Sequence, residues 1–123
     1  MRVLFKHYPL NIHPNALAVH VAAEAAHRQN KFWEMHDLII ADPTGSTPEK
    51  REQFAKDIGL DMEQFRQDIS SENVRQRIQE DIAEARRLGV RGTPGFFING
   101  LFISGARPFE TFKQMIDQEL SEL

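Results

Sequence analysis

The sequence predicts an α/β fold in which a long helical block separates one core strand from a C-terminal hairpin. Three observations predict it. Residues 2–7 (R-V-L-F-K-H) place Val3, Leu4 and Phe5 in an unbroken apolar run, the pattern of a strand buried on both faces beneath covering helices. From residue 15 to about 88 the apolar positions recur with helical period. After Gly89 the period changes to Phe96-Phe97-Ile98, Asn99-Gly100, Leu101-Phe102-Ile103, a hairpin signal with a turn suited to type I′.

Each element has local support. Pro9 ends the first strand. Leu17, Val21 and Ala25 recur at i, i+4, i+8, and Phe32, Met35 and Ile39 at i, i+3, i+7, with the polar R-Q-N-K of residues 28–31 breaking the stretch into two helices. Residues 42–48 (D-P-T-G-S-T-P) read as a loop. Thr47 then suits an N-cap with Pro48 at the first helical position, and Gly59 closes that helix. Asp61 and Gln64 resemble a capping box ahead of the Met62, Phe65, Ile69 stripe. Ser71 opens the longest helix, with Val74, Ile78, Ile82 and Ala85 inward and an outer face of opposite charges such as Arg77 and Asp81. Gly89 suits its C′ position, Gly105 ends the second hairpin strand, and Pro108 starts a last helix whose Phe109, Phe112, Ile116 and Leu120 share a stripe.

Composition narrows the functional classes. A chain of 123 residues with 41% hydrophobic and 27% charged content is expected to be one domain, 1–123. The net charge of −3 and the absence of a basic cluster argue against a nucleic-acid partner. No apolar stretch approaches the roughly 20 residues of a membrane span. No signal peptide is visible, so the chain is expected in the cytoplasm if it is complete. There is no cysteine, which removes disulfides, thiolate metal sites and every thiol nucleophile while leaving the compartment open.

Two places invite chemistry. His20, Glu24 and His27 stand at i, i+4, i+7 and could share one helix face, but a carboxylate-bridged metal site needs matching ligands from other helices. A single E-x-x-H is better read as a solvated polar face, so no metal or cofactor is expected. The second place is residues 91–100, R-G-T-P-G-F-F-I-N-G. A proline ahead of a strand is either a trans residue starting an edge strand, flanked by Gly92 and Gly95, or a cis Thr93–Pro94 bond.

Context favours the second. The run G-V-R-G-T-P-G-F-F-I-N-G-L-F-I-S-G-A-R-P-F-E-T-F resembles the cis-proline loop, terminal hairpin and last helix of the DsbA-like thioredoxin-fold family. F-K-H-Y-P-L-N-I-H-P-N-A-L is similar to that family's second core strand and the entry to its helical insertion, and K-F-W-E-M-H-D-L-I to the insertion itself. The resemblance spans essentially the whole chain: a core strand at 2–7, a helical insertion over about 15–88, and cis-proline loop, hairpin and helix over 90–123. It implies a truncated thioredoxin-like α/β fold, a thiol–disulfide oxidoreductase ancestry, and substrate-peptide binding by Arg91, Gly92, Thr93 and Pro94. Gly95 departs from the bulkier residue the family usually has there, which would loosen the loop. Relatives are often periplasmic or exported.

The same resemblance implies what these residues lack. The family's C-x-x-C motif and its first core strand lie upstream of everything present, and disulfide exchange needs an attacking thiolate. The chain is therefore expected to be inactive in exchange and to have no catalytic residue. The lost strand would run between residues 2–7 and 96–99, and buried unpaired backbone groups cost about 1–3 kcal/mol each. Three remedies follow: direct pairing of 2–7 with 96–99, strand or helix exchange in a homodimer, or a complementing polypeptide. The homodimer is preferred because it covers both edges and apolar surface. The alternative to an inactive oxidoreductase homologue is a dimeric peptide- or partner-binding module, or a folded relic.

Overall fold

A computed structural model describes residues 1–42 and 47–123. Six helices and one hairpin follow in order: α1 (Ala16–His27), α2 (Phe32–Ala41), α3 (Pro48–Asp57), α4 (Met62–Ile69), α5 (Glu72–Arg87), β1 (Gly95–Ile98), β2 (Leu101–Ser104) and α6 (Phe109–Ser121). The architecture is mixed α/β, six helices with a two-stranded sheet among the described residues, in the class the sequence predicts. The chain divides into two compact units, Met1–Glu84 and Ala85–Leu123.

In the Met1–Glu84 unit, α1 is the hub, packing on α2, α3 and α4. Its Ala22, Ala25 and Ala26 join Met35, Ala55, Leu60 and Phe65 in one buried cluster, and short side chains at these contacts let helix axes approach closely. Val21 on α1 joins Val74, Ile78 and Ile82 of α5 in a second cluster, and Ile69 packs against both. The helix starts follow local chemistry. Thr47 Oγ1 accepts from Lys50 N at 3.2 Å with Pro48 opening α3, and Asp61 Oδ1 accepts from Gln64 N at 3.0 Å at the start of α4. Gln64 does not reach back to Asp61, so the capping box is half made; its amide instead donates to Asp68 Oδ1 at 3.0 Å. The loop expected over 42–48 lies largely outside the described residues.

Residues 2–7 were expected as a core strand, and they form no ladder. The only sheet among the described residues is β1–β2, and a lone extended segment without a neighbour gains no inter-strand hydrogen bonds. Val3 and Leu4 are accordingly 62% and 64% exposed.

In the Ala85–Leu123 unit, β1 and β2 pair antiparallel with Phe96 opposite Ile103 and Phe97 opposite Phe102. Asn99 (φ 47°) and Gly100 (φ 87°) both take positive φ, the two-residue turn that matches strand twist. Phe96 meets Phe112 of α6 edge-on at 4.7 Å. Ile116 is half-buried, but the two ends of the α6 stripe stay open, Phe109 78% exposed and Leu120 55%, because a two-stranded ribbon is too narrow to cover a four-residue stripe.

Truncating the fully buried Phe65 to Ala should cost about 3–5 kcal/mol. Thr47→Ala should cost only about 1 kcal/mol, the worth of one N-cap. Urea unfolding of both variants, read as a midpoint shift at constant slope, checks the ranking.

Candidate functional site

The four residues expected to bind peptide fall together on one exposed loop. Arg91, Gly92, Thr93 and Pro94 are all exposed, and the Thr93–Pro94 bond is cis. Pro94 O accepts from Gly105 N at 2.8 Å, which ties the loop to the far end of β2. Among the described residues, Arg91, Gly92 and Thr93 make no backbone hydrogen bond. The glycine that follows does not leave a gap. A Cβ on Gly95 would lie 3.3 Å from Phe102 Cε2 and 3.4 Å from Val90 Cγ1, so neighbouring side chains already occupy the space a bulkier residue would fill.

The second cluster was not anticipated in its observed form. His20, Glu24 and His27 do not share a solvated face: Glu24 is buried and His20 half-buried, while only His27 points outward. Both inward groups turn to His7, which no pattern singled out. His7 Nε2 lies 3.0 Å from Glu24 Oε1, and its Nδ1 lies 2.9 Å from His20 Nδ1. The His7 backbone N–H donates to Asp81 Oδ2 at 3.0 Å. Asp81 was expected on the charged outer face of α5, but it is 2% exposed. Its Oδ1 accepts no hydrogen bond among the described residues, and its compensation is ionic: Arg77 Nη1 at 3.1 Å and Lys6 Nζ at 3.9 Å. Arg28 Nε stands 3.5 Å from Glu24 Oε2. Phe5 packs its ring 4.8 Å from Phe32 and 5.4 Å from His7, completing the anchorage of the N-terminal segment.

A carboxylate oriented on an imidazole suggests acid–base chemistry, and the geometry argues otherwise. A general base must reach the proton it removes, whereas His7 is 3% exposed with both ring nitrogens occupied. Glu24, held ionised, can only accept, so His7 Nε2 carries hydrogen. At 2.9 Å, one hydrogen is shared between the two Nδ1 atoms. Among the described residues no trio of His, Asp and Glu is disposed to hold a metal. The cluster is a structural tie.

Its titration carries a sign. Burial, reinforced by His7 and opposed by Asp81, lowers the pKa of His20 to about 4. The unfolded ring, with a pKa near 6.5, therefore takes up its proton first on acidification. Stability is complete above pH 6.5 and is lost as pH falls toward 4. Burial pushes Glu24 upward, but the hydrogen bond from His7 and the charges of His7, His27 and Arg28 outweigh it and leave its pKa lowered. Its contribution is lost below the His20 window. Urea midpoints measured from pH 7 to pH 4 should fall by about 1–3 kcal/mol in stability, and His20→Gln should flatten that slope. An unchanged slope in the variant would assign the acid sensitivity elsewhere.

Comparison with known proteins agrees with this architecture. Residues 3–117 match the model of the DSBA-like thioredoxin domain. A thioredoxin-like oxidoreductase from Silicibacter pomeroyi superposes with a TM-score of 0.82 at 23% identity, covering 94% of this chain and 66% of that one. The Na(+)/H(+) antiporter NhaA 3 of Salinispora tropica is 39% identical over 101 residues, 81% of this chain but 16% of the antiporter. The antiporter NhaA of Herminiimonas arsenicoxydans is 30% identical over 117 residues, 95% of this chain and 18% of its own length. The chain thus spans less than a fifth of the curated relatives it matches. With the matched model reaching over nearly all its length, the chain belongs to the DsbA-like thioredoxin-domain family.

Proposed function

We propose that this chain is a redox-inactive member of its family that binds extended peptide at the loop of Arg91, Gly92, Thr93 and Pro94. The observation that carries the reading is the unladdered backbone of Arg91, Gly92 and Thr93, exposed directly ahead of β1. Among the described residues β1 pairs only with β2, so its other edge is open to a further strand. Addition of an extended peptide to such an edge uses main-chain hydrogen bonds for affinity and side-chain pockets for selection. Phe97 and Phe102, paired on one face of the ribbon and 45% and 47% exposed, supply apolar contact surface beside it. These 123 residues contain no cysteine, so they supply no thiolate for exchange.

We further propose that the bare apolar surface is covered by a second copy. Exposed edges and large apolar patches mark association surfaces, and exchange of an element between protomers is a low-cost route to a dimer. A second reading rests on the antiporter matches: the chain acts as an accessory module to a Na(+)/H(+) antiporter, since its similarity to those polypeptides extends over 81–95% of its own length. Reading the coding sequence upstream separates these origins. An in-frame C-x-x-C one strand and helix earlier would make the chain part of an oxidoreductase.

Titration of the ¹⁵N-labelled protein with a cysteine-free, unstructured apolar peptide should shift the amide resonances of Arg91, Gly92, Thr93 and β1. A titration that moves none of them overturns peptide binding at this loop. Insulin reduction should stay at the no-protein rate. Sedimentation should give twice the 14.2 kDa chain mass, and a compact monomer would rule out the dimer.

A further inference from the structure

The Met1–Glu84 unit contains a cleft of about 370 Å³ at the junction of α1, α3, α4 and α5. It includes none of the residues Arg91, Gly92, Thr93 and Pro94. Its apolar lining comes from Leu17, Val21 and Ala22 of α1 and Phe65 and Ile69 of α4. The volume falls within the range of small-molecule sites, about 300–1,000 Å³. Helix packing normally closes such a space with side chains, yet Leu17, expected inward, is left 38% exposed beside it.

Charge at the lining has one sign in excess. Arg51, Glu52 and Arg75 line it together. The Glu52 carboxylate is already engaged by Arg66 and Lys56, and these partners hold its pKa low. Burial pulls the Arg51 guanidinium below its ordinary range, opposed by Glu49, so this cation is partly stripped of water. Among the described residues, no hydrogen bond or ion pair engages the Arg75 guanidinium, although the residue is half-buried. A half-buried guanidinium without an anion loses hydration and gains no pair in return. A planar fork of donors is matched by a carboxylate, which it can bind through two parallel hydrogen bonds.

We propose that this cleft binds a small amphipathic monocarboxylate, with its alkyl chain along Leu17, Ala18 and Ile69 and its carboxylate on Arg75. An apolar floor with a net positive lining suits a medium-chain fatty acid. A neutral alcohol lacks the charge, and an alkylammonium carries the wrong one.

Calorimetric titration with decanoate, decanol and decyltrimethylammonium, each below its micelle concentration, tests the assignment. Decanoate should bind at least tenfold more tightly than decanol, and the ammonium least of all. Arg75→Gln should reduce decanoate affinity about tenfold, to the level of decanol. Ala18→Phe, which places a ring in the cleft wall, should abolish binding of both. Absence of decanoate binding at millimolar concentration overturns the proposal, as does equal affinity for decanoate and decanol. Retention of decanoate binding by folded Ala18→Phe overturns it too. Arg75→Gln remains a valid test if Ala18→Phe does not fold.

Discussion

The Met1–Glu84 unit depends on how two carboxylates, Glu24 and Asp81, are met out of water. A buried charge is tolerable only when it is paired and hydrogen-bonded, and stranding one is strongly destabilising. His7 meets both, giving its ring N–H to Glu24 and its backbone N–H to Asp81. Arg28, Arg77 and Lys6 supply the compensating charge. One residue thereby joins the N-terminal segment to α1 and α5 simultaneously. That tie explains how residues 2–7 hold a defined place without a strand ladder. It also explains their exposure, since the anchorage is at His7 and Phe5 rather than along the backbone.

The Ala85–Leu123 unit rests on a different constraint. A two-stranded ribbon is marginal alone and needs a packed face to persist. Here the face is supplied by α6 through Phe112 on Phe96, and the turn by Asn99 and Gly100. Asn99 Nδ2 also reaches Glu119 Oε2 at 3.4 Å, fastening the hairpin tip to the same helix. What the ribbon cannot do is cover Phe109, Phe102 and Leu101, each nearly half exposed or more. The apolar surface left bare is thus a consequence of sheet width, and it is the physical basis for seeking a peptide or a second protomer.

Much of the helix layout was legible because it is written locally. Thr47 with Pro48, Asp61 before Met62, and Gly59 and Gly89 at positive φ are each determined within one turn of chain. The loop of Arg91, Gly92, Thr93 and Pro94 was legible for the same reason, since proline and flanking glycines announce a break in pairing. The polar cluster was not legible. His20, Glu24 and His27 share a helical spacing, but spacing does not say which of them a distant segment will cover. Nor does an Arg77–Asp81 pair at i, i+4 reveal that its carboxylate is sealed from water. The reading of residues 2–7 as a strand failed on similar grounds, because an apolar run specifies extension but not a partner.

By itself, then, the sequence determined the family, the order of helices and hairpin, the caps and turns, and the absence of a thiol. Those properties depend on residue type and on neighbours a few positions apart. Only the tertiary structure decided that Glu24 and Asp81 are buried, that His7 is their common partner, and that Arg75 lines a cleft with no ion pair among the described residues. Desolvation is set by what lies across the fold: the partners here are 17 and 74 residues apart, a separation over which no local pattern carries information.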